Sequence, residues 1–85
     1  MKPVTIYTRA LCAYCLMAKQ LLGKKDIDYT EISISDLPEK RVEMLKRANG
    51  SHTVPQIFIG ETHIGGYDDL YALEHNGTLE TILYA

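Results

Sequence analysis

The sequence predicts an α/β domain: a four-stranded mixed sheet flanked by helices, in the order β-α-β-α-β-β-α. Three observations predict it. Two early segments alternate apolar and polar residues, and the segment between them spaces its apolar residues as a helix does. That is a parallel strand-helix-strand unit. Later, Gly60-Glu61 joins two short strand-like runs as a glycine-led hairpin loop. Finally, 85 residues suffice for a single domain, 1–85, with one layered body and no second core.

The elements follow in order. In "KPVTIYT", Val4 and Ile6 alternate with Thr5 and Tyr7, all strand formers, which predicts the first strand. From Ala13 to Leu22 the spacing of Leu16, Met17, Gln20 and Leu21 predicts a helix, with Gly23 closing it in a left-handed conformation. "DYTEISI" returns to period two, with Thr30, Ile32 and Ile34 on one face. "SDLPEKRVEMLKRANG" predicts the second helix: Ser35 or Asp36 as cap, Pro38 in the first turn, and Gly50 as the stop. Its apolar stripe is Val42, Leu45 and Ala48, with Met44 beside it. After the hairpin "QIFIGETHIGG", Asp68 or Asp69 opens a third helix through Leu70 and Leu73, ended by Asn76-Gly77. A last helical turn brings Leu79, Ile82 and Leu83 onto the body.

Composition narrows the function classes. The chain is 46% hydrophobic and 24% charged, as globular domains are. A net charge of −2 and no basic stripe argue against nucleic acid as a partner. No apolar run reaches the roughly 20 residues that span a membrane, and "MKPVTIYTRAL" lacks the apolar core of a secretory signal. The expectation is a cytoplasmic monomer with no membrane partner.

Two cysteines, Cys12 and Cys15, are the only ones in the chain. In a reducing compartment so short a loop is a poor structural staple, because it restricts the unfolded chain little. A zinc site needs a second ligand pair, and His52, His63 and His75 lie too far apart in sequence for one. They read as surface or turn residues, and no metal site is expected. Redox chemistry remains. Cys12 stands where the first strand ends and the helix begins, and a helix N-terminus favours a thiolate over a thiol. Arg9 and Lys19 add positive charge nearby. The thiolate is the attacking species in disulfide exchange, so Cys12 is the expected nucleophile and Cys15, one turn on, the resolving thiol.

Two further segments carry chemistry. Val54-Pro55 precedes a strand, and two readings stand: a proline at a strand edge, or a cis bond that frees the Val54 backbone to pair with an extended peptide. In "GGYDDL", the acidic pair can cap a helix, while the free N–H groups of that helix start can receive a ligand carboxylate.

Together "CAYC", "TVPQIFI" and "GGYDDL" resemble the dithiol glutaredoxins of the small bacterial kind, from Val4 to the last helix. The resemblance implies a thioredoxin-like fold and a glutathione-dependent thiol–disulfide oxidoreductase with no tightly bound cofactor. It places the nucleophile on Cys12 and the resolving thiol on Cys15. Glutathione, the co-substrate, is expected to meet Arg9, Tyr14, Thr53, Val54, a cis Pro55, Gly66, Tyr67 and Asp68. Disulfide-containing or glutathionylated proteins, ribonucleotide reductase among them, are the implied partners. The chain has no Trp, unlike the W-C-G-P-C pattern of thioredoxins.

One position departs from the family pattern C-P-Y-C: Ala13 replaces proline. Alanine restores an N–H near the Cys12 sulfur, which is expected to stabilise its thiolate further. Some glutaredoxins lacking that proline hold a [2Fe-2S] cluster between two subunits, which makes a cluster-binding dimer the alternative reading.

Overall fold

In the computed structural model, which describes residues 1–85, β1 (Val4–Thr8) runs parallel to β2 (Thr30–Ser33) and antiparallel to β3 (Gln56–Ile59). β4 (Thr62–Gly65) pairs antiparallel with β3, completing a sheet in the order β2-β1-β3-β4. The inner strands are therefore β1 and β3, and every residue of β3 is buried. Register pairs Val4 with Ile59, Tyr7 with Gln56 and Phe58 with His63.

Period-two alternation then divides the core into two layers. Val4, Ile6, Ile57 and Ile59 face α1 (Ala13–Lys24), α3 (Tyr67–His75) and α4 (Leu79–Leu83), packing on Ala18, Leu22, Leu70, Leu79 and Leu83. Tyr7 and Phe58 face the other way, onto Met44 of α2 (Lys40–Arg47) and Ala48 just beyond it. Each fully buried Leu, Ile or Phe contributes about 1.5–3 kcal/mol, so both layers are needed to hold a chain this short.

Element order and sheet type match the sequence expectation, and four punctuation details differ. Gly23 lies inside α1; the left-handed residue after it is Asp26 at φ 55°, which Asp tolerates through local hydrogen bonding. The helix runs on so that Ile27 can enter the core. Neither Ser35 nor Asp36 caps α2, which starts at Lys40 behind Glu39, leaving Pro38 outside the helix. Ser35 Oγ instead accepts the Ala10 N–H at 2.9 Å, tying this turn to the loop before Cys12. The stripe of α2 turns accordingly. Val42 is exposed and Leu45 half-buried, while Met44 is fully buried because its flexible side chain fills the gap against Tyr7 and Phe58. Gly50 does stop the helix, at φ 86°, with Asn49 also left-handed. Gly66, not an aspartate, is the N-cap of α3, and Asp69 Oδ2 reaches back to accept the Gly66 N–H at 3.0 Å.

Candidate active site

Cys12 is the N-cap of α1, with extended backbone at φ −113° and ψ 106°. Its Sγ accepts the Cys15 N–H at 3.1 Å, and its carbonyl accepts the Leu16 N–H at 3.1 Å. The two sulfurs are joined as a disulfide. Cys15 is 2% exposed and Cys12 half-buried, so an incoming sulfur can approach only Cys12. The chain enters this turn through Leu11, left-handed at φ 56° and wholly exposed, a conformation uncommon for a non-glycine residue. Sequence patterning carries no signal for it.

Two grooves adjoin the cysteine turn. One, of ≈ 460 Å³, is lined by Tyr14, Thr53, Val54, Pro55, Gly66, Tyr67 and Asp68. The other, of ≈ 600 Å³, contains Arg9, Cys12 and Cys15. All ten residues singled out in the sequence thus lie along these two grooves, with Arg9 on the far side of the cysteines from the other binding candidates. The Val54–Pro55 bond is cis, and the Val54 carbonyl lies 3.8 Å from Cys12 Sγ, linking the grooves. Tyr14 and Tyr67 face each other as tilted rings 6.2 Å apart. At the far end, the start of α3 carries Asp68 exposed in its first turn, and Gly65 at φ 117° makes the reversal into it.

The electrostatics differ from expectation at two points. Lys19 does not stand free beside Cys12; its Nζ is 3.1 Å from Glu31 Oε2, which also accepts Thr8 Oγ1–H at 2.6 Å. The Thr8 hydroxyl, followed by Lys19 and against the effect of burial, holds the Glu31 carboxyl below its ordinary range. Lys19 is spent on a carboxylate because parallel pairing of β1 with β2 brings Glu31 beneath α1. Arg9 is the exposed cation that makes no ion pair here. Nor is Ala13 the donor to the Cys12 sulfur; that role falls to the Cys15 N–H, two residues further into the turn.

From sequence alone Gln56 carries no assigned role and His63 reads as an ordinary surface or turn residue. Gln56 is buried, its Nε2 donating to Thr53 O at 2.9 Å, Thr53 Oγ1 at 3.2 Å and Ser51 Oγ at 3.0 Å. Its Oε1 lies 2.6 Å from His63 Nε2. The available signal was the "PQIFI" alternation, which places Gln56 beside Phe58 on one face, where a polar residue needs partners.

Comparison with known proteins decides the family. The family model for glutaredoxin matches residues 4–64. A glutaredoxin of Pseudomonas aeruginosa is 56% identical over 85 residues, covering 100% of both chains. The chain belongs to the glutaredoxin family. Among solved glutaredoxins, the solution structure from Brucella melitensis is 53% identical with a TM-score of 0.83, covering 98% of this chain and 89% of that one. A buckwheat glutaredoxin–glutathione complex is 30% identical with a TM-score of 0.85, covering 98% of this chain and 77% of that one.

Glutaredoxin membership, the thioredoxin-like fold and the Cys12–Cys15 pair make this a thiol–disulfide oxidoreductase, in a family whose partner is glutathione. No three His, Cys, Asp or Glu side chains converge as a metal site, and no helix is long and apolar enough to cross a membrane.

Proposed function

We propose that this chain reduces protein disulfides and glutathione mixed disulfides with glutathione as electron donor, through Cys12 as nucleophile and Cys15 as resolving thiol. The observation that carries the reading is the groove from Tyr14 across Val54–Pro55 to the start of α3, adjoining the one accessible sulfur. Its chemistry suits a tripeptide with two carboxylates and one ammonium. The γ-glutamyl carboxylate fits the N–H groups of Tyr67 and Asp68 at the start of α3 beside Gly66, and its ammonium fits the Asp68 carboxylate. The cysteinyl backbone pairs with Val54 beside the cis Pro55 and Thr53. Tyr14 flanks the sulfur. The glycyl carboxylate reaches past Cys12 to the unpaired Arg9 guanidinium, which can grip it with two N–H groups. That the buckwheat relative was solved as a glutathione complex supports this assignment.

In the monothiol route, the Cys12 thiolate attacks the glutathione sulfur of a mixed disulfide. The S–S bond breaks, the substrate thiolate leaves and takes up a proton, and Cys12 is left glutathionylated. A second glutathione thiolate attacks that glutathione sulfur, releasing oxidised glutathione and restoring Cys12. In the dithiol route, Cys15 attacks Cys12 Sγ and expels the bound thiolate, giving the Cys12–Cys15 disulfide, which two glutathiones reduce. The Cys15 N–H and the start of α1 stabilise the Cys12 thiolate at each return.

The partners are glutathione and disulfide-bearing proteins, ribonucleotide reductase being one candidate by family analogy; the working form is a cytoplasmic monomer. The alternative is a [2Fe-2S] role as a dimer: each chain would offer Cys12, its one accessible thiol, and the remaining iron ligands would come from glutathione and the second subunit.

The test is glutathione-dependent reduction of a small glutathione mixed disulfide by wild type, Cys12→Ser and Cys15→Ser. The reading requires activity in wild type, its loss in Cys12→Ser and its retention in Cys15→Ser. An inactive wild type overturns it.

A further inference from the structure

We propose that Gln56, oriented by His63, is the positioning residue that sets the Thr53–Val54 segment for glutathione; the proposal rests on the glutathione reading above. Hydrogen-bond logic fixes its orientation. Three oxygens surround one end of the Gln56 amide: the Thr53 carbonyl, the Thr53 hydroxyl and the Ser51 hydroxyl. A carbonyl acceptor permits only the NH₂ end there, so Oε1 faces His63. His63 Nε2 must then carry the proton it donates across 2.6 Å. Neutral His63 is thereby held in its Nε2–H tautomer.

His63 is in turn braced. It pairs with Phe58 across the β3–β4 ladder, and the two rings stack at 4.9 Å and 25°. The Arg47 guanidinium lies 4.2 Å from the Phe58 ring centroid, bringing α2 against the same face. The Thr53–Val54 segment itself is loop, outside the strands, and Thr53 is exposed. Gln56 therefore ties a segment that lacks its own ladder to the rigid inner strand of the sheet. What it holds is the peptide immediately before Val54, whose carbonyl stands 3.8 Å from the reacting sulfur. Gln56 and His63 also line the ligand groove, but the hydrogen bonds of Gln56 go to Ser51, Thr53 and His63 and none goes to Cys12, so it acts on ligand alignment through the Thr53 segment and leaves thiolate chemistry alone.

The experiment compares wild type, Gln56→Glu, His63→Phe and His63→Gln by steady-state kinetics on a glutathione mixed disulfide and on a cysteamine mixed disulfide. The rate of Cys12 alkylation by iodoacetamide is measured in parallel. Gln56→Glu keeps the shape and the acceptor for His63 but cannot donate to Thr53. It should raise KM for the glutathione substrate about tenfold, with kcat and alkylation within about twofold of wild type. His63→Phe keeps the stacked ring but orphans Gln56 Oε1, and should raise KM about threefold. His63→Gln restores a donor and should return KM to within about twofold of wild type. His63→Phe and its rescue carry the test by themselves should Gln56→Glu not fold. KM unchanged in both Gln56→Glu and His63→Phe, or kcat and alkylation falling as KM rises, overturns the proposal. A wild type with no preference for the glutathione substrate overturns the glutathione reading, and this proposal with it. A preference undiminished in both variants overturns the positioning role alone.

Discussion

Replacing Tyr7 by Phe removes one oxygen from the middle of the molecule and leaves the ring packing in place. Tyr7 is fully buried, with its ring edge-on to Phe58 at 5.7 Å, and Phe can keep that contact. The hydroxyl donates to Glu43 Oε2 and accepts from Arg47 Nη1 at 3.0 Å, so the substitution deletes two hydrogen bonds to charged groups. Such bonds are worth about 1.5–3 kcal/mol each where both partners are buried. Here Glu43 is 40% exposed and also meets Lys40, so water and screening recover much of the loss. The expected destabilisation is about 1.5–2 kcal/mol in total, lowering Tm by roughly 6–15 °C for a domain of this size.

The pH dependence of that loss follows from Glu43. The Tyr7 hydroxyl, and after it Lys40, holds the Glu43 carboxyl below its ordinary value. A depressed carboxylate pKa contributes stability that is present above the unfolded value of about 4.3 and is lost as pH falls through the folded value. The difference between wild type and Tyr7→Phe should therefore be full at pH 7 and smaller at pH 3, where the Glu43 part of it is lost and the Arg47 part remains. Toward alkaline pH, burial and then Glu43 raise the Tyr7 phenol, so wild type also loses stability as pH rises above about 10 and the unfolded phenol ionises. Urea unfolding followed by circular dichroism at pH 3, 7 and 10.5 measures all three. A loss under about 0.5 kcal/mol at pH 7, or one equal at pH 3 and pH 7, would refute the reasoning.

Other expectations concern the active-site turns. Because Ala13 is not the donor to Cys12 Sγ, Ala13→Pro should shift the Cys12 pKa by less than about 0.5 unit, while the fixed φ at the first helical position raises stability by about 0.4–1 kcal/mol. Thiol titration of the reduced protein and thermal unfolding test the two halves separately. Gly65→Ala places a Cβ against the Asp69 carboxylate at a φ of 117°, so it should cost about 2 kcal/mol or more and release the Gly66 N–H that Asp69 holds. Thermal unfolding within 1 °C of wild type would contradict that account.

Much of this protein is legible in one dimension. The sheet and its helices follow from a change of apolar period at Ala13 and back at Thr30, because period two and period 3.6 bury different residue sets. Cys12 and Cys15 are adjacent by helical geometry alone, and the burial of Cys15 follows from its place on the inner face of α1. The "GGYDDL" helix start is local in the same sense. These features rest on contacts within a few residues, which the order of residues determines by itself.

Pairings between distant segments were decided by the tertiary structure. Lys19 is as close to Cys12 in sequence as a cation need be, yet the β1–β2 register brings Glu31 to it across twelve positions. Val42 and Met44 are both apolar in the second helix; which one is buried depends on the space left by Tyr7 and Phe58. Gln56 and His63 read as ordinary polar residues until β4 folds back on β3 and brings His63 Nε2 to Gln56 Oε1. Even the division of the binding residues between two grooves, with Arg9 across the cysteines from Asp68, depends on where three separate loops meet. Periodicity states which side of an element is apolar, but the partner of a buried polar group is set by strand register and helix packing. Those are sums over the whole chain, and no local run of residues contains them.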